Sequence, residues 1–227
     1  MHQDTNQPLA LLDVWTHLSA NDIVLDKEQM DSLQRYHSDL TYWNERVNMV
    51  SRKDIDQLWE RHIIHSLLLL KYVVIPDKAR VLDLGTGGGL PGIPLKIARP
   101  DIKITLVDST TKKVNMVKMF GEHTGLKDIH AVSARVEDLC ALPKYKGSFD
   151  VIVSRAVAPI VQLISWSLPL VAREGFYALL KGGDMAGEIK AAEQQFSNLS
   201  ITEMPITAFG LPIFTTDEKK VIVCRKR

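Results

Sequence analysis

The sequence predicts an α/β fold, with a mostly parallel β-sheet, helices on both of its faces and an N-terminal helical region. Three observations predict it. Short apolar runs alternate with helical stretches from residue 76 onward, which is typical of parallel sheets. A glycine-rich segment, 85–92, directly follows the first run, and residues 26–74 show helical spacing of apolar side chains. We therefore predict two parts, a helical region at 1–75 and a sheet domain at 76–227.

The helical region is predicted to begin at Asp26, a residue type that caps helix N-termini. Apolar residues then recur at helical spacings from Met30 to Val47. A second helix is expected from Asp54 to Val74, and Pro76 ends it. Residues before 26 are only weakly patterned. They contain no basic start followed by an apolar core, so we expect neither a signal peptide nor a membrane span.

The sheet domain follows from alternating strand and helix patterns. Strands are predicted at 80–84, 103–107, 130–133, 151–154, 176–180, 201–214 and 220–227. Helices are predicted at 93–98, 111–123, 159–172 and 187–196. The two final strands follow each other across a loop, so we expect them to add an antiparallel edge to the sheet.

Composition places few limits on function. The 227 residues are 45% hydrophobic and 24% charged, which are values of globular proteins. A formal net charge of +1 gives no overall attraction to nucleic acid, so any RNA binding requires a local basic patch such as Arg46, Arg52, Lys53 and Arg61. Cys140 and Cys224 lack metal-site spacing. We expect a cytoplasmic monomer without a metal or a disulfide.

The segment from Val81 to Gly92 indicates a nucleotide-like ligand, for which two hypotheses compete. Gly87-x-Gly89-x-x-Gly92 matches the dinucleotide fingerprint, with Asp108 about twenty residues onward. The pattern acid-x-Gly-x-Gly-x-Gly, which begins at Asp83, instead resembles motif I of class I S-adenosylmethionine (SAM) methyltransferases. A carboxylate in an apolar strand needs a partner, and SAM carries a cationic amino group and a sulfonium. We therefore favour SAM as the ligand. A class I methyltransferase would have a Rossmann-like sheet.

Later positions agree with SAM. Asp108 ends the second strand, where such enzymes hold the ribose hydroxyls, and Val136-Glu137 follows the third, where they bracket adenine. Structural alternatives stay open for each acid. Asp83 could cap the glycine-loop amides, Asp108 could cap the next helix, and Glu137 could be a solvated helix start.

The chain resembles the GidB family, bacterial methyltransferases that act on N7 of a guanine in 16S ribosomal RNA. The resemblance extends from about residue 30 to the end. Its most specific part is the combination of Leu-Pro-Gly directly after the glycines with Ser-Arg-Ala at 154–156. The segments that carry it are Asp83–Leu95, Leu106–Ser109 with Lys112-Lys113, Ser133–Glu137, Val153–Ala156, Leu180–Gly182, Trp43–Ser51 and Arg61–Ser66. One position departs, because the family commonly has an acid where this chain has His65.

The resemblance implies SAM as the cofactor and 16S rRNA or the small ribosomal subunit as the partner. The implied cofactor-binding residues are Asp83, Gly85, Gly87, Gly89, Leu90, Asp108, Val136, Glu137 and Arg155. Arg61 and His62 are implied on the substrate side. Lys181 precedes two glycines at the end of a predicted strand, where it could hold RNA phosphate, so we also place it on the substrate side. An ion pair for Arg155 and a solvated side chain for Lys181 are the structural alternatives.

The residues are consistent with methylation at N7. Guanine N7 has a free lone pair and no proton to remove, so alignment suffices and no general base is required. We therefore name no catalytic residue, although a nearby carboxylate or carbonyl could help because the methylated base becomes cationic. Strand four carries Ser154-Arg155-Ala156 and not the Asn-Pro-Pro-aromatic motif of enzymes that methylate exocyclic amines. The alternatives are a small-molecule SAM methyltransferase, a non-catalytic SAM-binding regulator and an NAD-binding oxidoreductase.

Overall fold

The computed structural model describes residues 9–227 and begins with two helices. Helix α1, Leu11–Ser19, buries Val14 and Leu18, and helix α2 spans Lys27–Asn44. The predicted cap of α2 is confirmed, since the Asp26 carboxylate accepts a 2.8 Å hydrogen bond from the Gln29 amide. Helix α1 was not predicted, because its N-cap position is an alanine with no capping side chain.

The second predicted helix is present but irregular. A 3₁₀ turn, Arg52–Gln57, leads into a π-helical turn, Trp59–Ile64. Two short α segments follow, α3 at His65–Leu67 and α4 at Leu69–Tyr72. Single π turns within helices are frequent at functional sites, and this one carries Arg61 and His62.

Seven strands form one sheet in the order β3-β2-β1-β4-β5-β7-β6. The first five are mutually parallel, and β7 is antiparallel to both β5 and β6. The predicted parallel sheet with an antiparallel addition at one edge is confirmed. The strands are β1 Arg80–Leu84, β2 Lys103–Asp108, β3 Ile129–Ser133, β4 Phe149–Arg155, β5 Val171–Gly182, β6 Leu199–Pro205 and β7 Lys219–Lys226.

Helices cover both faces of the sheet. They are α5 Gly92–Ala98, α6 Thr111–His123, α7 Val136–Cys140, α8 Ile160–Ser167, α9 Ala186–Gln195 and the short α10 Ile213–Thr216. Two predictions were too long. The helix predicted at 159–172 ends at Ser167, ahead of Pro169, which lacks the amide that a longer helix needs. The strand predicted at 201–214 ends at Pro205, and a loop and α10 take the remainder.

The apolar core has two parts, one on each face of the sheet. The larger part is shared by the N-terminal helices and the sheet, since Leu33 and Ile63 are buried in the same cluster as Leu106 and Phe120. The helical region therefore lies against one sheet face and reaches the C-terminal ends of β1 and β4. The proposed division between residues 75 and 76 stays a prediction.

Among residues 9–227, none of the helices combines the length and apolarity that crossing a bilayer requires.

Candidate functional site

A cavity of about 470 Å³ lies at the C-terminal ends of β1, β2 and β4. Ligands bind at this edge in open α/β sheets. Its walls are the glycine loop after β1, the segment between α2 and the 3₁₀ turn, and the end of β4. They comprise Met49, Val50, Ser51, Asp54, His62, Gly85, Thr86, Gly87, Gly88, Leu90, Asp108, Ser109, Lys113, Arg155, Ala156 and Val157. We call it the loop cavity.

A second cavity, of about 340 Å³, adjoins the loop cavity and shares Gly85, Asp108, Ser109 and Val157 with it. Val136, Glu137 and Trp166 line its far side. Val136 is buried and Glu137 is exposed. The two cavities form one elongated cleft, so the glycine loop, Asp108 and the Val136-Glu137 pair lie along a single binding surface. We call this half the side cavity.

The glycine loop approaches its neighbours closely. Gly85 has φ +72°, and a Cβ there would overlap the side chain of Val157. Such a backbone favours glycine. The amides of Gly85 and Thr86 both donate to the Val107 carbonyl, at 2.8 and 2.9 Å. Gly89 does not line the cavities and instead packs against Ile93.

Asp83 lies beneath the glycine loop and is completely buried. Its Oδ2 accepts hydrogen bonds from the Thr86 hydroxyl at 2.6 Å and the Gly92 amide at 2.9 Å. Its Oδ1 is buried without a partner among the described residues. Burial raises the pKa of Asp83 to about 7, although the hydrogen bonds from Thr86 and Gly92 oppose the shift. Asp83 lines none of the cavities, so the capping alternative describes it better than direct ligand contact.

Asp108 sits where the two cavities meet. Its Oδ2 accepts from the Gly87 amide at 3.0 Å and its Oδ1 accepts from the Thr110 amide at 2.8 Å. A carboxylate has about four lone-pair sites, so each oxygen keeps acceptor capacity toward the cleft. These bonds fix the orientation of the carboxylate and leave lone pairs that can accept hydrogen bonds from a ligand, as the prediction of ribose binding requires.

Arg155 connects the loop cavity to a third cavity, of about 430 Å³. Its Nη1 donates to the Arg61 carbonyl at 3.4 Å, and its Nε is buried without a partner among residues 9–227. Burial lowers the pKa of Arg155, and Tyr36, Asp83 and Asp54 oppose the shift. We call the third cavity the outer cavity. It is lined by Asp54, Arg61, His62, His65, Arg155, Ala156, Leu180, Lys181, Gly182, Met185, Glu188 and Lys219.

His62 also lines both the loop cavity and the outer cavity, at the junction between them, and it is neutral near pH 7. Burial, then the positive charges of Arg155, Arg61 and Lys219, lower the pKa of His62 to about 3. Its Nε2 is 3.8 Å from Asp54 Oδ2, which is too long for a hydrogen bond. Neither this distance nor the low pKa of His62 is consistent with an ion pair between His62 and Asp54. Both ring nitrogens are buried without partners among the described residues.

Two cations predicted on the substrate side are already paired. Arg61 donates to Asp217 Oδ2 at 2.9 Å and to Gln57 Oε1. Lys181 donates to the Ala158 carbonyl at 2.6 Å and to Glu188 Oε2 at 3.0 Å, and its side chain is only 10% exposed. Lys181 is therefore not a solvated side chain, and its role toward RNA phosphate stays a prediction. Both residues line the outer cavity, so their polar groups shape its walls.

Other predicted features have mixed outcomes. His65 is buried against Phe214, with ring centroids 5.5 Å apart, and it lines the outer cavity. In the basic patch, Arg52 and Lys53 are exposed, whereas the Arg46 guanidinium lies 4.4 Å from the centre of the Tyr42 ring. Across residues 9–227, no group of three His, Cys, Asp or Glu side chains is arranged to hold a metal ion.

Sequence reasoning missed several residues of the site. Asp54 and Lys113 line the loop cavity, and Lys219 lines the outer one. Tyr36, on α2, donates from its hydroxyl to the Gly88 carbonyl at 2.9 Å. A buried tyrosine needs a hydrogen-bond partner, and that requirement was the only available signal for Tyr36.

Two solved structures that share the fold are named as methyl-transferring enzymes. The m1A22 tRNA methyltransferase TrmK of B. subtilis has a TM-score of 0.55 and 15% identity over 72% of this chain and 65% of that chain. A ribosomal protein L11 methylase from Lactobacillus delbrueckii subsp. bulgaricus has a TM-score of 0.53 and 17% identity over 72% and 77%. These likenesses show the class I methyltransferase fold.

Sequence relatives are more specific. The chain is 39% identical to the ribosomal RNA small subunit methyltransferase G of Chlorobaculum tepidum, over 89% of this chain and 92% of that protein. It is 35% identical to the protein of the same name from Desulforamulus reducens, over 89% and 84%. The family model of rRNA small subunit methyltransferase G matches residues 29–216. The chain therefore belongs to the GidB family of small-subunit rRNA methyltransferases.

Proposed function

We propose that this protein transfers a methyl group from SAM to N7 of a guanine in 16S rRNA. The observation that carries the proposal is the family match over residues 29–216, together with relatives named ribosomal RNA small subunit methyltransferase G. The cleft supports it, because the glycine loop, Asp108 and Arg155 all face one binding surface. The substrate further suggests work in the cytoplasm, and a monomer remains our prediction.

The cleft has the chemistry that SAM requires. The elongated pair of cavities suits a ligand with a nucleoside at one end and an amino acid at the other. Asp108 offers acceptors for ribose hydroxyls, and Val136 with Glu137 offers an apolar and a polar contact for adenine. Arg155 has a buried Nε without a partner among residues 9–227, which suits an anionic group such as the ligand carboxylate.

The residues would act by holding and aligning. When bound, SAM would supply the methyl group: the methyl carbon would bond to the N7 lone pair as its bond to sulfur breaks, and the bonding electron pair would stay on sulfur. The Asp83 bonds to Thr86 and Gly92 keep the glycine loop in one conformation. Met49, Val50 and Leu90, all buried, form apolar walls of the loop cavity and limit water there. Alignment of this kind contributes several kcal/mol, on the order of 7–11 in model reactions.

Ligand-induced stabilisation tests the cofactor. The protein is heated with SAM, with its demethylated product and with NAD in parallel, and a rise in Tm is expected for the first two. A rise with NAD alone would sink the cofactor proposal.

Labelled-methyl transfer tests the substrate. Small ribosomal subunits that lack the modification are incubated with the protein and labelled SAM, and the methylated position is then mapped. We expect label at N7 of one guanine in 16S rRNA. Label on a small metabolite and none on RNA would point to a small-molecule methyltransferase. SAM binding without any transfer would point to a regulator.

A further inference from the structure

Four residues line both the loop cavity and the outer cavity, namely Asp54, His62, Arg155 and Ala156. They form the boundary that the two cavities share. A base that enters from the outer cavity to reach a methyl donor in the loop cavity has to pass these side chains. Of these four residues, Ala156 has a left-handed backbone, with φ +54°. Non-glycine residues in this conformation are concentrated at functional sites.

Several polar atoms at this junction lack partners within residues 9–227, as does the Nε2 of His65 in the outer cavity. Both nitrogens of His62 and the Nε of Arg155 are buried and unpaired within residues 9–227. The Asp54 carboxylate is 34% exposed and lies beyond hydrogen-bond distance of His62. By contrast, Arg61 is paired with Asp217, and Lys181 is paired with Glu188. Buried polar groups are rarely left unpaired, so the junction is built to receive a polar ligand.

The set of groups matches guanine and opposes adenine. Guanine presents two adjacent donors, N1–H and the N2 amino group, and an acceptor, O6. A carboxylate accepts from both donors, and a guanidinium or imidazole N–H donates to O6. Adenine presents an acceptor at N1, which would face the carboxylate without a shared proton. Bases outside a helix are recognised in this way, through hydrogen bonds to the Watson–Crick edge.

We propose that Asp54 determines base specificity by accepting hydrogen bonds from N1–H and the N2 amino group of the target guanine. The inference rests on the proposed function and names the residue that selects its substrate. His62 completes the junction as a donor toward O6, while Arg155 keeps its role toward the carboxylate of the cofactor.

The charge of Asp54 would also favour the product. Methylation at N7 places a positive charge on the purine ring, and a carboxylate nearby stabilises that charge as it develops. Arg155 and Lys219 lie around the same junction, so without Asp54 a cationic base would meet mainly positive side chains. The negative charge of Asp54 would therefore offset the repulsion between the methylated base and the positive side chains around it.

The test compares guanine with inosine, which keeps N7 and N1–H but lacks the N2 amino group. Small subunits are reconstituted with RNA that carries either base at the mapped position. Transfer rate and direct binding are both measured, so that an inactive variant is still scored by binding. The proteins are the wild type, Asp54→Asn and the matched control Asp56→Asn. Asp56 lies on the same 3₁₀ turn but is exposed and lines neither cavity.

We expect the wild type and Asp56→Asn to prefer guanine over inosine by roughly 10- to 100-fold, the range for a lost hydrogen bond to a charged group. Asp54→Asn is expected to lose most of that preference while its Tm still rises with SAM. Equal preference in Asp54→Asn and the wild type would overturn the proposal, as would a wild type that does not discriminate. If the wild type does not methylate subunits that carry guanine, the proposed function is wrong. That result is obtained from the guanine-containing subunits alone, so it is distinguishable from a failure of the Asp54 proposal.

Discussion

The hydroxyl of Tyr36 donates a 2.9 Å hydrogen bond to the backbone carbonyl of Gly88, joining helix α2 to the glycine loop. Both residues are buried. Burial raises the pKa of Tyr36 well above its usual value, so the hydroxyl stays a donor. The N-terminal helices thus hold the loop that shapes the loop cavity, and the two parts of the chain form one site.

Removing this hydroxyl tests the link. Tyr36→Phe keeps the ring but leaves the Gly88 carbonyl without its partner, and we expect about 1 kcal/mol less free energy of unfolding and weaker SAM binding. Urea unfolding and calorimetric titration with SAM measure the two effects. Tyr42→Phe is the control, because Tyr42 is 55% exposed on the same helix. Unchanged SAM affinity in Tyr36→Phe would show that the loop holds its shape alone.

The glycine loop predicts a second outcome. In Gly85→Ala, the new methyl group would overlap Val157 and the backbone would be left-handed, so we expect SAM affinity to fall at least about tenfold, with a strain cost of about 1–2 kcal/mol. Gly147→Ala is the matched control. Gly147 has a similar φ, +59°, with open space around it. Gly147→Ala should lower the free energy of unfolding in urea, because its backbone is strained, but it should bind SAM normally. A similar loss of SAM binding in both variants would contradict the role of the glycine loop.

The buried carboxyl of Asp83 predicts a pH dependence. Its pKa rises from 3.8 to about 7 on folding, so between these values the folded chain binds more protons than the unfolded chain. The stability from this group is therefore full below about pH 4 and is lost as pH rises through about 7. Asp83→Asn should flatten that part of the profile of unfolding free energy against pH.

Asp101 provides the control for this profile. The hydrogen bond from Arg99 lowers the pKa of Asp101 to about 2, so its contribution is present above pH 3.8 and is lost as pH falls toward 2. Asp101→Asn should leave the slope between about pH 5 and 7 unchanged. Urea unfolding at closely spaced pH values measures all three proteins, and a wild-type slope retained in Asp83→Asn would refute the assignment.

The sequence was enough to predict the sheet and to place a cleft at the strand ends, because both depend on local patterns. Asp83, the glycines and Asp108 lie on successive strand ends, and parallel topology brings those ends to one edge. The junction was not predictable in the same way. Asp54 and Arg155 are far apart in the chain, and their proximity depends on how the irregular 52–72 segment packs on β4. No periodicity in the sequence predicts a π-helical turn, and none predicts that Tyr36 bonds the Gly88 carbonyl.

Lys181 illustrates the same limit. Its position before two glycines at a strand end suggested a free cation for RNA phosphate. In the structure, its ammonium bonds the Ala158 carbonyl, and Glu188 bonds both Lys181 and the Ile160 amide. These bonds tie down the segment that carries Ala156 and Val157 into the cleft. Lys181 therefore has a positioning role in our interpretation.

The two roles for Lys181 predict different measurements. If it positions the 156–159 segment, Lys181→Met should lower SAM affinity several-fold, because the Ala158 carbonyl and Glu188 lose the donor that joins them, and leave the salt dependence of RNA binding unchanged. If it binds phosphate, the slope of log K against log salt should fall by about one charge with SAM affinity intact. Lys53→Met, which removes an exposed cation, calibrates the salt slope. Because each role moves a different readout, a pair of titrations decides between them.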